Sequence, residues 1–164
     1  MLLGLSLAQF TLLHVIISLI AIAAGFIFYA LLSTTGRWAG FVHGLFIDFT
    51  VLTSVTGFIF PFKGGPPFIF GVVSIILLAI ALVAQYAGKL QGKWRGVHLG
   101  AALVAQWLNM VVLVVQSFQK VPALNALAPS GAEPPVLAGQ GLMLLIVLFF
   151  AWKTILRPAA PATA

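Results

Sequence analysis

Five apolar runs, each about the length needed to cross a ~30 Å hydrocarbon core, set the terms for everything else in this chain. They lie at residues 10–32, 41–62, 68–88, 97–119 and 137–156. The segments between them, "STTGRWAG", "KGGPP", "KLQGKWRG" and "KVPALNALAPSGAEPP", carry the Gly, Pro and charge that punctuate helices. Fusing the second and third runs would give four spans. That single helix would have to cover residues 41–88 and run through Pro61 and "GGPP", so five is the better count.

Charge is too sparse for a water-facing surface. The 164 residues include eight Lys or Arg and two Asp or Glu, with 62% hydrophobic residues and a mean hydropathy of +1.19. Soluble domains are about one-quarter charged. The expected fold is therefore an all-α, polytopic transmembrane bundle forming one domain over residues 1–157. The Pro/Ala-rich tail 158–164 is expected to be disordered. The opening "MLLGLSLAQF" has no basic n-region, and the apolar run after it is too long for a cleaved signal. It reads as the start of a permanent span.

The net charge of +6 does not imply nucleic acid, because the basic residues stand singly between apolar runs. Their sides give an orientation instead. Arg37, Lys89, Lys93, Arg95, Lys153 and Arg157 share one side, against Lys63 and Lys120 on the other. The expectation is a multi-pass protein of a bacterial inner membrane, with its N-terminus periplasmic and its C-terminus cytoplasmic. Cysteine is absent, which excludes disulfides, iron–sulfur clusters, covalent haem and thiolate metal sites.

Polar residues within spans mark faces turned toward protein or water. On a helical wheel, His43, Thr50, Ser54 and Gly57 fall within about 60°, and Asp48 points about 140° from His43. His98, Gln106, Asn109 and Gln116 fall within about 80°. Two constellations follow. On the cytoplasmic side, His43 and His98 share a depth, and Asp48, about two turns deeper, is expected to form a buried ion pair with Lys153 or to meet His98. On the periplasmic side, His14, Ser18, Thr53, Ser54, Thr56, Asn109, Gln116 and Gln140 form a layer below Lys120 and Glu133. "KVPALNALAP" would lie over that layer as a lid.

Each feature also has a plainer reading. Spanning Ser and Thr bond back to their own backbone or tie helices together. Asn109 and Gln116 serve as interhelical glue, and His43 and His98 as interfacial side chains. Trp152, Lys153 and Arg157 form a snorkelling anchor. "GVHLG" offers a small-xxx-small face for dimerisation.

Four functions compete. His43 and His98 could ligate a b-type haem for electron transfer. A quinone or lipid headgroup could bind among His14, Ser54, Asn109, Gln116 and Lys120. Asp48 and His43 could form part of a proton or ion path. Lastly, the chain could be an accessory or assembly subunit whose partners are the bilayer and other membrane subunits. The sequence favours this last reading, with the quinone or lipid pocket as a possible addition. No G-x-S-x-G, P-loop or H-E-x-x-H pattern is present, so no familiar catalytic chemistry is indicated.

At "TSVTGFIFPF" and "LNMVVLVVQSFQKVPALNALAPSGAEPP" the chain resembles a family of small bacterial inner-membrane proteins with no assigned function. The resemblance runs from about His14 to Lys153. It implies that His14, Asn109, Gln116, Lys120 and Glu133 belong to the family's pattern and that His43, Asp48 and His98 belong to it less. No activity, cofactor or substrate comes with it.

Overall fold

A computed structural model of the chain describes residues 2–61 and 65–157. Among them are six α-helices: α1 (Leu7–Thr35), α2 (Gly40–Ile59), α3 (Pro66–Tyr86), α4 (Lys93–Lys120), a single turn α5 (Pro122–Asn125) and α6 (Pro134–Ala151). A π-helical turn, Trp152–Leu156, continues α6. Five segments are long and apolar enough to cross a membrane: Leu7–Thr35, Gly40–Ile59, Phe68–Tyr86, Lys93–Lys120 and Pro134–Leu156. The expectation of an all-helical chain with five segments long and apolar enough to span holds among the described residues. The proposed disordered tail, Lys63 and the last residue of the expected second span lie outside the described residues.

Local chemistry sets the helix ends. α1 begins three residues before the expected span because Ser6 and Gln9 form a capping box. The Ser6 hydroxyl accepts from Gln9 N at 3.2 Å, and Ser6 N donates to Gln9 Oε1 at 2.9 Å. Its other end closes on Gly36 at φ +66, a left-handed C-cap that suits glycine. α2 stops at Ile59 because Phe60 precedes Pro61 and takes an extended conformation, ψ 148.

α4 is the hub. α3 and α6 flank it without touching one another among the described residues, while α1 and α2 pack closely as a pair against it. The core at the basic end joins Phe28 and Tyr29 of α1, Phe46 of α2, Leu99 and Leu103 of α4 and Phe150 of α6. The Tyr29 hydroxyl donates to the Leu99 carbonyl at 2.8 Å. At mid-bundle, Gln106 Nε2 donates to the Ile22 carbonyl at 2.9 Å. Glycine leaves room for it, since a Cβ at Gly25 would lie 2.7 Å from the Gln106 amide and displace it.

The "GVHLG" face is already occupied within the chain. Cβ positions at Gly96 and Gly100 fall 3.8 Å from the Ile155 side chain, so this small-residue surface seats the π-helical turn. Spanning hydroxyls bond back as expected: Ser18 to His14, Thr50 to Phe46, Ser54 to Thr50 and Thr56 to Leu52.

Candidate functional site

The two histidines at the basic end meet directly. His43, in the first turn of α2, and His98, in the second turn of α4, are both buried, with their Nε2 atoms 2.7 Å apart. His98 Nδ1 lies 2.8 Å from the Ala81 carbonyl oxygen of α3. A carbonyl only accepts, so Nδ1 carries a hydrogen. In the neutral ring Nε2 is then the acceptor, and His43 Nε2 donates to it. Phe28 and Trp38 pack on His43 with ring centroids 4.9 and 4.8 Å away, and Trp38 also reaches His98.

This geometry does not fit a bis-imidazole haem. Ligands on opposite faces of one metal ion hold their nitrogens about 4 Å apart, with the macrocycle between them. Here the nitrogens share a hydrogen, and aromatic rings fill the flanks. The interfacial reading of the two rings also gives way, because both are buried.

Asp48 requires a larger correction. Its side chain is exposed. No ion pair or hydrogen bond joins it to another described residue, so the expected buried pair with Lys153 does not form. His98 is engaged by His43 and Ala81. The Lys153 ammonium stands over the Trp152 ring at 5.5 Å, alongside the Arg157 guanidinium at 5.9 Å, the aromatic and cationic anchor expected at a helix end. Asp48 lies about 12 Å along α2 from Gly40, among exposed Phe41, Leu52 and Val55. A Cβ at Gly40 or Gly44 on the same side meets nothing within 4 Å. With Asp48 facing outward and His43 facing inward, no chain of polar groups links them into a proton path among the described residues.

The layer expected on the periplasmic side divides in two. His14 Nδ1 bonds the Thr56 hydroxyl at 2.7 Å across α1 and α2, with Phe60 edge-on to the imidazole. Ser54 is buried and bonded to its own helix. Neither residue lines a cavity with Gln116. A cleft of about 350 Å³ lies elsewhere, between α3, α4 and α6, with Phe70, Val112, Gln116, Gln119 and Gln140 in its walls. Asn109 and Lys120 do not line it. Asn109 Nδ2 is buried without a partner among the described residues, as are Trp107 Nε1 and Thr53 Oγ1, so the glue role expected of Asn109 and Gln116 falls to Gln106.

Gln119 was not among the expected site residues. It sits three residues after Gln116, on the same face, and that spacing was the available signal. The Ala81 carbonyl carries no sequence signal at all.

The loop from Val121 to Glu133 is organised by one carboxylate. Glu133 Oε1 accepts from Ser130 N at 2.8 Å, and Oε2 accepts from Ala132 N at 3.0 Å. The Ser130 backbone hydrogen bond, first among its contacts, holds the Glu133 carboxyl below its ordinary value. Asn125 Nδ2 fastens the loop to the Phe118 carbonyl at 3.2 Å. No group of three or more His, Asp or Glu able to hold a metal ion occurs among the described residues. No family model, curated protein or solved structure matches the chain.

Proposed function

We propose that this protein is an accessory subunit of a membrane complex, docked through the outward face of α2 against a spanning helix of a different chain. That helix would present a basic side chain to Asp48. The N-terminus would be periplasmic and the basic end cytoplasmic, in keeping with the positions of Arg37, Lys89, Lys93, Arg95, Lys153 and Arg157.

The observation that carries this reading is the exposed, unpartnered carboxylate of Asp48. Carboxylates in a spanning helix cost about 2.5–3.5 kcal/mol near the bilayer centre on insertion scales, and they normally face protein or water. One of only two acidic residues in the chain sits where lipid would otherwise be. A basic partner would satisfy it, and the open surface at Gly40 and Gly44 lets a helix approach closely. A second copy supplies no such group, since this chain's own Lys and Arg lie toward the ends of its spans. His43 and His98 are taken by one another.

Photo-crosslinking in native membranes tests the proposal. A crosslinker at Leu52 should give an adduct with a different protein whose crosslinked spanning helix contains Lys, Arg or His, and Asp48→Leu should abolish it. A crosslinker at Leu145, on the exposed face of α6, should give none. An adduct of the chain with itself, or one that persists in Asp48→Leu, would overturn the proposal.

A further inference from the structure

We propose that the cleft between α3, α4 and α6 binds an uncharged lipophilic molecule through carbonyl or hydroxyl groups at its polar end. The inference is independent of the α2 docking face.

The three carboxamides of the cleft lie toward its mouth, beside Phe70 and Val115, with Val111 and Val112 below them. Gln119 lies one residue from the Lys120 end of α4, Gln116 four residues, and Val112 eight. Those steps correspond to depths of about 1.5, 6 and 12 Å. Gln140, six residues into α6, is about 9 Å deep. Three carboxamides therefore occupy the outer half, while valines and Phe70 form the rest of the wall. None of the three amides has a hydrogen-bond partner in the described residues, so their donors and acceptors are open to a ligand.

Two packing facts keep the cleft open. α3 and α6 both rest on α4 without contacting each other, so the gap between them opens sideways. Gly139 lets α6 approach α4 closely, since a Cβ there would stand 3.0 Å from the Val114 side chain. This fixes the neighbouring Gln140 at the cleft wall. Above, the Gly131 Cβ position lies 3.6 Å from Gln119 Nε2, which places the loop held by Glu133 at the mouth.

The lining selects the ligand chemistry. Among the described residues no Lys, Arg, Asp, Glu or His contributes to the walls, so none of them compensates an ionised headgroup. Carboxamides donate to carbonyl oxygens and accept from hydroxyls. A cavity of about 350 Å³ falls at the small end of ligand sites, which run from about 300 to 1,000 Å³. It suits a single ring or a glyceride backbone, with an apolar tail leaving through the lateral opening. A quinone and a diacylglycerol share this chemistry.

Calorimetric titration of the full chain in nanodiscs, against empty discs, tests the site with two probes: decyl-benzoquinone and dioctanoylglycerol. At least one should bind with a stoichiometry near one per protein. Gln140→Leu, which keeps the volume and removes the amide, should weaken binding about five-fold. Val112→Phe, which fills the floor, should abolish it. Binding of the quinone alone would assign a quinone site, and binding of the glyceride alone a lipid site. Binding of both would confirm the shared chemistry. If neither probe binds above the empty-disc baseline, or if Gln140→Leu folds with the wild-type melting temperature and binds unchanged, the proposal is overturned.

Discussion

His43 donates a hydrogen to His98 across a 2.7 Å Nε2–Nε2 contact, and His98 passes the polarity on to the Ala81 carbonyl at 2.8 Å. Three helices are joined by this line of donors, and the tautomer of each ring follows from the one before. Replacing one ring strands the other in a buried, aromatic-lined space.

His43→Leu should cost about 1–3 kcal/mol, the penalty for leaving a buried acceptor unmade. His98→Leu should cost at least as much, because it strands the His43 donor and removes the link to α3. The double variant His43→Leu/His98→Leu should lose clearly less than the sum. Unfolding in mild detergent gives all four corners of the cycle, and strictly additive losses would show that the rings are not coupled.

Asp48→Leu should act in the opposite sense. Since no partner among the described residues is lost, removing an exposed carboxylate should stabilise the isolated protein in a bilayer, by up to about 2.5–3.5 kcal/mol. Measurement in nanodiscs without other proteins isolates this term. A fall in stability would instead point to an intrachain partner for Asp48.

Gly25→Ala should be destabilising despite alanine's advantage of about 0.5–1 kcal/mol in helices. The new methyl would sit 2.7 Å from the Gln106 amide carbon and oxygen, displacing a side chain held to Ile22. Overpacking of this kind costs about 1–3 kcal/mol. In a Gln106→Ala background the clash is absent, so Gly25→Ala should become neutral or stabilising. An equal cost in both backgrounds would place the strain elsewhere.

The loop before α6 should loosen in acid. Backbone N–H groups hold the Glu133 carboxyl below its ordinary 4.5, so the ordering it provides is complete above that value. It is lost as pH falls through the lower value of the folded protein. Amide exchange at Ser130 and Ala132, read by mass spectrometry, should lose protection below about pH 4.5 once corrected for intrinsic rates. Glu133→Gln, which keeps one acceptor oxygen, should be less protected than the wild type at neutral pH and show no such transition.

Much of the architecture could be read from the chain alone. Five helices of spanning length and the loop punctuation follow from run length and backbone chemistry, which act locally. The stop of α2 at Ile59, before Phe60 and Pro61, came three residues earlier than the expected end. The aromatic and cationic anchor at Trp152, Lys153 and Arg157 was equally local. The candidate sites were less legible, because the expectation that polar groups turn inward worked for His43 and His98 but failed for Asp48.

What the sequence by itself determined was therefore the number of long apolar helices and, to within a few residues, where they lie. Tertiary structure alone decided which faces meet. In a soluble helix the buried stripe is apolar and the outer face polar. Here Leu78 is 1% exposed and Ile80 43% exposed, yet both are aliphatic, because lipid and protein interior are alike in polarity. Periodicity carries little information in that setting. The pairing of His43 with His98, the glutamine cleft between α3 and α6 and the outward turn of Asp48 depend on which helix faces pack together, as where Gly139 lies against Val114 beside the cleft.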